Sequence, residues 1–151
     1  MSFLYRLIIM LGLVTAFAAC GPKPHPSPSF WADGAPAGAA ALVAGEMAGS
    51  LAAAYPPGRT TFHLNQTDLE RDELGPALEM ALRARGFGLA PEAGNGALVV
   101  SYVLDRLVEN SWYVKLTVSD ELTLARVYQP EGDSLAPKAT TSTGRMEKTH
   151  E

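Results

Sequence analysis

Residues 98–128 read LVVSYVLDRLVENSWYVKLTVSDELTLARVY, and this stretch decides the fold. Apolar and polar side chains alternate through three runs, and short polar turns at Glu109–Ser111 and Asp120–Glu121 separate the runs. Strict alternation is typical of a strand with one buried face, and short turns join antiparallel neighbours. The stretch therefore predicts an antiparallel β-meander whose apolar face needs a cover.

Two stretches upstream of the meander supply that cover. Residues 39–55 are rich in alanine and repeat large apolar side chains at helical spacing, which predicts a helix. Residues 74–85 carry a clearer helical period, and Gly86 follows at a favoured cap position. The predicted fold class is α+β: a two-layer domain over residues 37–130, with the antiparallel β-meander packed against two amphipathic helices, after a lipoprotein signal peptide and a Pro-rich linker.

The beginning of the chain is typical of an export signal. Residues 1–19 combine one basic side chain with an apolar run shorter than the roughly 20 residues of a spanning helix. The sequence Phe17-Ala18-Ala19-Cys20 resembles a bacterial lipobox, in which the first three residues guide the signal peptidase. This resemblance implies cleavage before Cys20 and lipidation of its thiol and of the new amino group. An ordinary signal cut after Ala18 is the alternative.

Cys20 is the only cysteine in the sequence, which excludes an intramolecular disulfide and a multi-cysteine metal site. Each buried acyl CH₂ contributes about 0.8 kcal/mol, so three acyl chains on Cys20 would give a lasting membrane anchor. Gly21 stands where an Asp would favour retention at the inner membrane. We therefore expect a cell-envelope protein, anchored by lipid in the outer membrane and facing the periplasm, with no cofactor besides the covalent lipid (a palmitate-type modification).

Residues 20–36 predict a linker between the lipid and the domain. Prolines at every second position favour extended polyproline II at about 3.1 Å per residue. One interpretation is a stiff spacer, and the other is a docking strip in which Phe30 and Trp31 bind a partner. At the other end, residues 131–151 hold few apolar side chains, which predicts a polar, flexible tail or one that folds only against a partner.

No spacing typical of catalysis or metal binding occurs in the sequence. The three histidines fall in the linker, a predicted strand and the tail, without a companion ligand: His25, His63 and His150. The acidic run at residues 68–73 is better explained by a solvated helix N-terminus than by a cation site. A net charge of −4 argues against a phosphate-binding surface. We expect no catalytic residue, no metal site and no direct contact with nucleic acid.

Four segments, taken in order, resemble the conjugal transfer protein TrbH family: Leu51–Pro57, Leu78–Phe87, Tyr102–Asp105 and Leu124–Tyr128. The resemblance covers the lipobox and most of residues 40–145. It implies a short lipoprotein of a conjugative DNA-transfer (type IV secretion) system with a role in mating-pair formation. Such a protein would be a membrane-tethered structural or assembly component that binds other channel proteins. The alternative is a general envelope lipoprotein, acting as a pilot or chaperone for another outer-membrane assembly.

Overall fold

A computed structural model describes residues 28–66, 70, 72–107, 110–119 and 122–145. This part of the chain holds two helices and seven strands, which follow one another as β1 (Phe30–Trp31), α1 (Ala39–Ala54), β2 (Thr61–Leu64), α2 (Leu74–Ala84), β3 (Gly88–Leu89), β4 (Leu98–Arg106), β5 (Trp112–Val118), β6 (Leu122–Glu131) and β7 (Ser134–Arg145).

The seven strands form one sheet in the order β3-β2-β4-β5-β6-β7, with β1 paired to β4 outside this path. Strands β4 to β7 are an antiparallel meander, whereas β1, β2 and β3 join through parallel pairs. Strand β2 pairs with residues 98–100 of β4, and β1 pairs with residues 103 and 104. The predicted meander is confirmed, and the sheet is wider than predicted because strands are added on both sides.

One face of the sheet and the inward sides of the two helices share a single apolar core. In β5 the alternation is complete, since Trp112, Val114, Leu116 and Val118 are buried while the residues between them are half-buried. The helices contribute their own buried side chains to the same cluster: Val43, Met47 and Leu51 from α1, and Leu74, Leu78 and Leu82 from α2. This arrangement confirms the predicted two-layer α+β fold, but β1 and β7 extend the domain beyond the predicted bounds of 37–130 on both sides, so the predicted linker over 20–36 includes residues of the sheet.

An arginine next to α2 contacts the backbone of α1. The guanidinium of Arg85, directly after α2, donates from Nη2 to the carbonyl oxygen of Gly45 at 3.0 Å. A Cβ atom added to Gly49 would lie 3.5 Å from the same nitrogen, which is an ordinary van der Waals distance, and one added to Gly45 would meet nothing within 4 Å. The contact therefore does not require glycine at either position.

A carboxylate holds the first turn of α2 against the sheet. Asp72 accepts the backbone N–H groups of Leu74 and Gly75 at 3.1 and 3.0 Å, which satisfies two donors that a helix leaves unpaired at its start. Its second oxygen accepts the hydroxyl of Tyr102 in β4. Asp72, one of the acidic residues before the predicted helix, is thus structural, whereas Asp68 lies outside the described residues.

Strand β7 corrects the prediction of a flexible tail over residues 131–151. Residues 134–145 pair with β6 along its length, and Leu135 is buried at 2% exposure. Main-chain hydrogen bonds stabilise an edge strand without requiring many apolar side chains, so composition alone misjudged this segment. Residues 146–151 lie outside the described residues.

Two glycine substitutions are expected to change stability in opposite directions. In Gly75→Ala the new Cβ would overlap the hydroxyl of Tyr102 and lie 2.9 Å from Oδ2 of Asp72. We expect a loss of about 1–3 kcal/mol in the free energy of unfolding, measured in urea. Gly45→Ala is the matched control, since nothing lies within 4 Å of its added Cβ and alanine favours a helix interior by up to about 1 kcal/mol. Equal effects at both positions would contradict the packing described here.

Candidate functional site

The predicted lipidation site lies outside the described residues. This holds for Cys20 and for the three residues expected to guide the signal peptidase, Phe17, Ala18 and Ala19. Their roles stay predictions from the sequence.

The two aromatic residues predicted as partner anchors are separated by the fold. Strand β1 pairs with β4, and adjacent residues of a strand point to opposite faces of a sheet. Trp31 lies on the core face and is buried at 6% exposure, whereas Phe30 on the opposite face is 45% exposed. The prediction of Trp31 as a surface anchor is therefore wrong, because its indole belongs to the core. Phe30 is exposed, as a residue that contacts a partner has to be.

Ser29 fixes the chain where it enters the sheet. Its buried hydroxyl accepts the backbone N–H of Tyr102 at 3.1 Å and donates to the carbonyl oxygen of Asn65. The N–H of Asn65 in turn donates to the carbonyl oxygen of Val100 at 2.8 Å. Strands β2 and β1 pair with successive parts of β4, and these bonds join the end of β2 to the start of β1. The position of Phe30 is therefore set by backbone groups before and after it.

Phe30 adjoins a set of half-buried apolar side chains on the face of the sheet opposite the core. The strand register places Val103 beside Phe30 and Val127 beside Tyr113. We call this set the open-face patch, and define it as Phe30, Val103, Tyr113, Ala125 and Val127; the half-buried Lys115 lies between Val103 and Ala125 on the same face. Within the described ranges, the buried side chains of both helices belong to the core on the other face. The open-face patch is thus the surface that brings Phe30 together with residues of the meander.

A second feature is a cleft of about 240 Å³ beside β2, β3 and α2. His63, on β2, is half-buried in its wall, with Nδ1 3.2 Å from the carbonyl oxygen of Ala90. Arg83 and Glu79 also line the cleft and neutralise each other, with Nη2 and Oε1 2.6 Å apart. In the part of the chain that the structure describes, no group of three metal-ligating side chains occurs. The cleft therefore gives no support to a catalytic or metal site.

The third feature is a polar cluster between α1 and β6. Glu46 accepts hydrogen bonds at the same oxygen, Oε2, from Arg126 and from the hydroxyl of Tyr128, both at 2.7 Å. The hydrogen bond that Arg126 donates to Glu46 raises the pKa of the guanidinium. Burial raises the pKa of the Tyr128 hydroxyl. The cluster holds α1 onto the sheet through a single carboxylate oxygen.

The sequence itself indicates this cluster. Arg126 continues the apolar row of Leu122 and Leu124, and a charge in such a row needs a buried partner. Glu46 is the only acidic residue of α1, so it was the available candidate. Arg126 and Tyr128 also fall within a segment that carries the family resemblance.

Taken together, these features describe an α+β domain with one covered face and one face that presents a partly exposed apolar patch. A family model described as conjugal transfer protein TrbH matches residues 26–147. Because this match spans more than half of the sequence, the chain belongs to the conjugal transfer protein TrbH family, and it is a component of conjugal transfer. No curated protein and no solved structure matches the chain. Neither described helix has both the length and the apolar character needed to cross a membrane.

The fold predicts different outcomes for the two neighbouring aromatics. Trp31→Ala opens a cavity in the core, and we expect it to lower the free energy of unfolding by about 3–5 kcal/mol. Phe30→Ala removes a side chain from the surface, and we expect a change below about 1 kcal/mol. Urea unfolding followed by circular dichroism measures both values. A similar loss in both variants would contradict the opposite orientations of the two side chains.

The Glu46 cluster predicts a decline of stability in alkali. The pKa of Tyr128 is raised in the folded state above its ordinary value of about 10, so its stabilising effect is complete below about pH 10 and is lost as the pH rises further. We expect the free energy of unfolding to fall as the pH rises above about 10, and the fall to be smaller in Tyr128→Phe. Tyr113→Phe is the control for removing a hydroxyl from the sheet. An unchanged decline in Tyr128→Phe would contradict the assignment.

Proposed function

We propose that this protein is a lipid-anchored structural or assembly component of a conjugative DNA-transfer apparatus, active in mating-pair formation within a type IV secretion system. The observation that carries the proposal is the family match over residues 26–147. The lipobox that ends at Cys20 supports the anchor, since it precedes the matched region by only a few residues. The mechanism is binding rather than chemistry.

The anchor and the linker would set where the domain acts. Phe30 lies ten positions after Cys20, and a proline-rich chain extends by about 3.1 Å per residue. The first strand of the sheet would then lie within about 30 Å of the membrane surface. Gly21 after the cysteine supports the outer membrane, and the domain would face the periplasm.

Other channel proteins are the proposed partners, and the open-face patch is the proposed surface for them. Phe30 supplies an exposed aromatic side chain, of a kind enriched in protein interfaces. The net charge of −4 would repel nucleic acid, so the protein would assist DNA transfer without holding the DNA.

The lipid anchor is tested by Cys20→Ser in donor cells. We expect the variant to lose incorporation of labelled palmitate, to leave the outer-membrane fraction, and to lower DNA transfer at least about tenfold, because the domain would no longer be held at the membrane. Ser27→Ala, in the same linker, is the matched control and should preserve all three properties.

Two outcomes would contradict the proposal. Full transfer by a Cys20→Ser protein that is no longer membrane-bound would show that the anchor is dispensable. Genes for a different envelope assembly, rather than transfer genes, beside the coding sequence would favour a general envelope lipoprotein.

A further inference from the structure

Strand β7 is the outermost strand of the sheet at one end. In the part of the chain that the structure describes, β7 pairs with β6 on one side and with no strand on the other. An open edge of this kind presents backbone N–H and C=O groups on which another strand can pair. At the opposite end of the sheet, β3 has only two residues and offers little for pairing. The edge of β7 is therefore the long open edge of the described sheet.

The two halves of β7 differ in how well they are protected from such pairing. The first half contains Pro137 and Lys138, and the register with β6 shifts between Arg126 and Tyr128. Proline, lysine and irregular pairing are the devices by which proteins block an open edge. Residues 139–144 read ATTSTG, without a charge or a proline. The second half thus presents an unprotected edge of about 20 Å.

The charge of β7 favours one kind of partner. Between Ser134 and Arg145 the sequence contains two basic residues and no acidic one, although the whole chain has a net charge of −4. We propose that the outer edge of β7, over residues 139–145, binds an extended acidic segment of another protein as an added strand. Main-chain hydrogen bonds would supply the affinity, and the basic net charge of the strand would favour acidic partners. The inference rests on the proposed function, because the segment would belong to another channel protein.

A second copy of this chain fits the edge less well. Antiparallel pairing of two β7 strands would bring together two segments whose only charges are basic, those of Lys138 and Arg145. Like charges on neighbouring strands repel each other. Pairing of β7 with the β3 end of a second copy would join twelve residues to two. Charge and length therefore favour an acidic segment from a different protein.

The proposal is tested on the purified full-length protein in detergent micelles with two synthetic peptides. The first is an acetylated and amidated peptide that repeats Glu-Thr-Val, and the second carries lysine in place of each glutamate. We expect the acidic peptide to slow hydrogen exchange of the backbone amides at residues 139–145, and the basic peptide to leave it unchanged. Absence of protection, or equal protection by both peptides, would overturn the proposal.

Two substitutions at the exposed Thr143 give a second test with opposite signs. A cross-strand charge pair is worth up to about 1 kcal/mol, which corresponds to about a fivefold change in affinity. We expect Thr143→Glu to weaken binding of the acidic peptide by up to about fivefold and Thr143→Lys to strengthen it. Self-pairing would respond in reverse, since a new glutamate would relieve the repulsion between copies. Dimerisation that increases in Thr143→Glu, with peptide affinity unchanged, would overturn the proposal.

Failure of this inference can be told apart from failure of the proposed function. The peptide experiments use purified protein and do not depend on transfer or on membrane localisation. A protein that supports DNA transfer but does not discriminate between the two peptides contradicts the edge proposal alone. A protein that binds the acidic peptide but is dispensable for transfer contradicts the proposed function alone.

Discussion

The rest of the structure depends on the covering of one apolar sheet face by two helices, and α1 is the helix that is harder to hold. Its buried surface consists largely of alanine, which contributes little apolar area per residue. Two polar contacts compensate: Glu46 binds Arg126 and Tyr128 on β6, and Arg85 donates to the backbone at Gly45. Because Glu46 binds two side chains of one strand, it fixes where α1 lies on the sheet and how α1 is rotated about its own axis. Small apolar side chains alone would define these two quantities less well.

In the part of the chain that the structure describes, both helices pack on the same face, and neither covers the other face or the outer edge of β7. The chain enters the sheet at β1, where Ser29 joins the ends of two strands, and Phe30 is the first side chain that it presents outward. The proposed tether would therefore deliver the domain to the membrane with the open-face patch beginning at the point of attachment. The family match runs from before β1 through β7, so the whole described domain belongs to the conjugal transfer family.

Local pattern was enough to predict the parts of the fold whose partners are close in sequence. The meander of β4 to β6 follows from alternation and short turns, and α2 follows from its apolar period and Gly86. The missed features depend on distant partners: Trp31 is buried because β1 pairs with a strand about 70 residues later, and Glu46 meets Arg126 across a separation of 80 residues. Strand β7 was missed for another reason, since backbone pairing with β6 leaves little trace in composition. The candidate site was predicted in part, because Phe30 could be named from the sequence but its separation from Trp31 could not.

The central claim is that this protein takes part in conjugal transfer. The measurement that tests it most directly is the frequency of plasmid transfer from donor cells that lack this chain, compared with the same cells complemented by the wild-type gene. The account predicts that transfer falls on deletion and returns on complementation, while growth and other envelope functions of the donor stay unchanged. Transfer at the wild-type frequency from donors without the chain would contradict it.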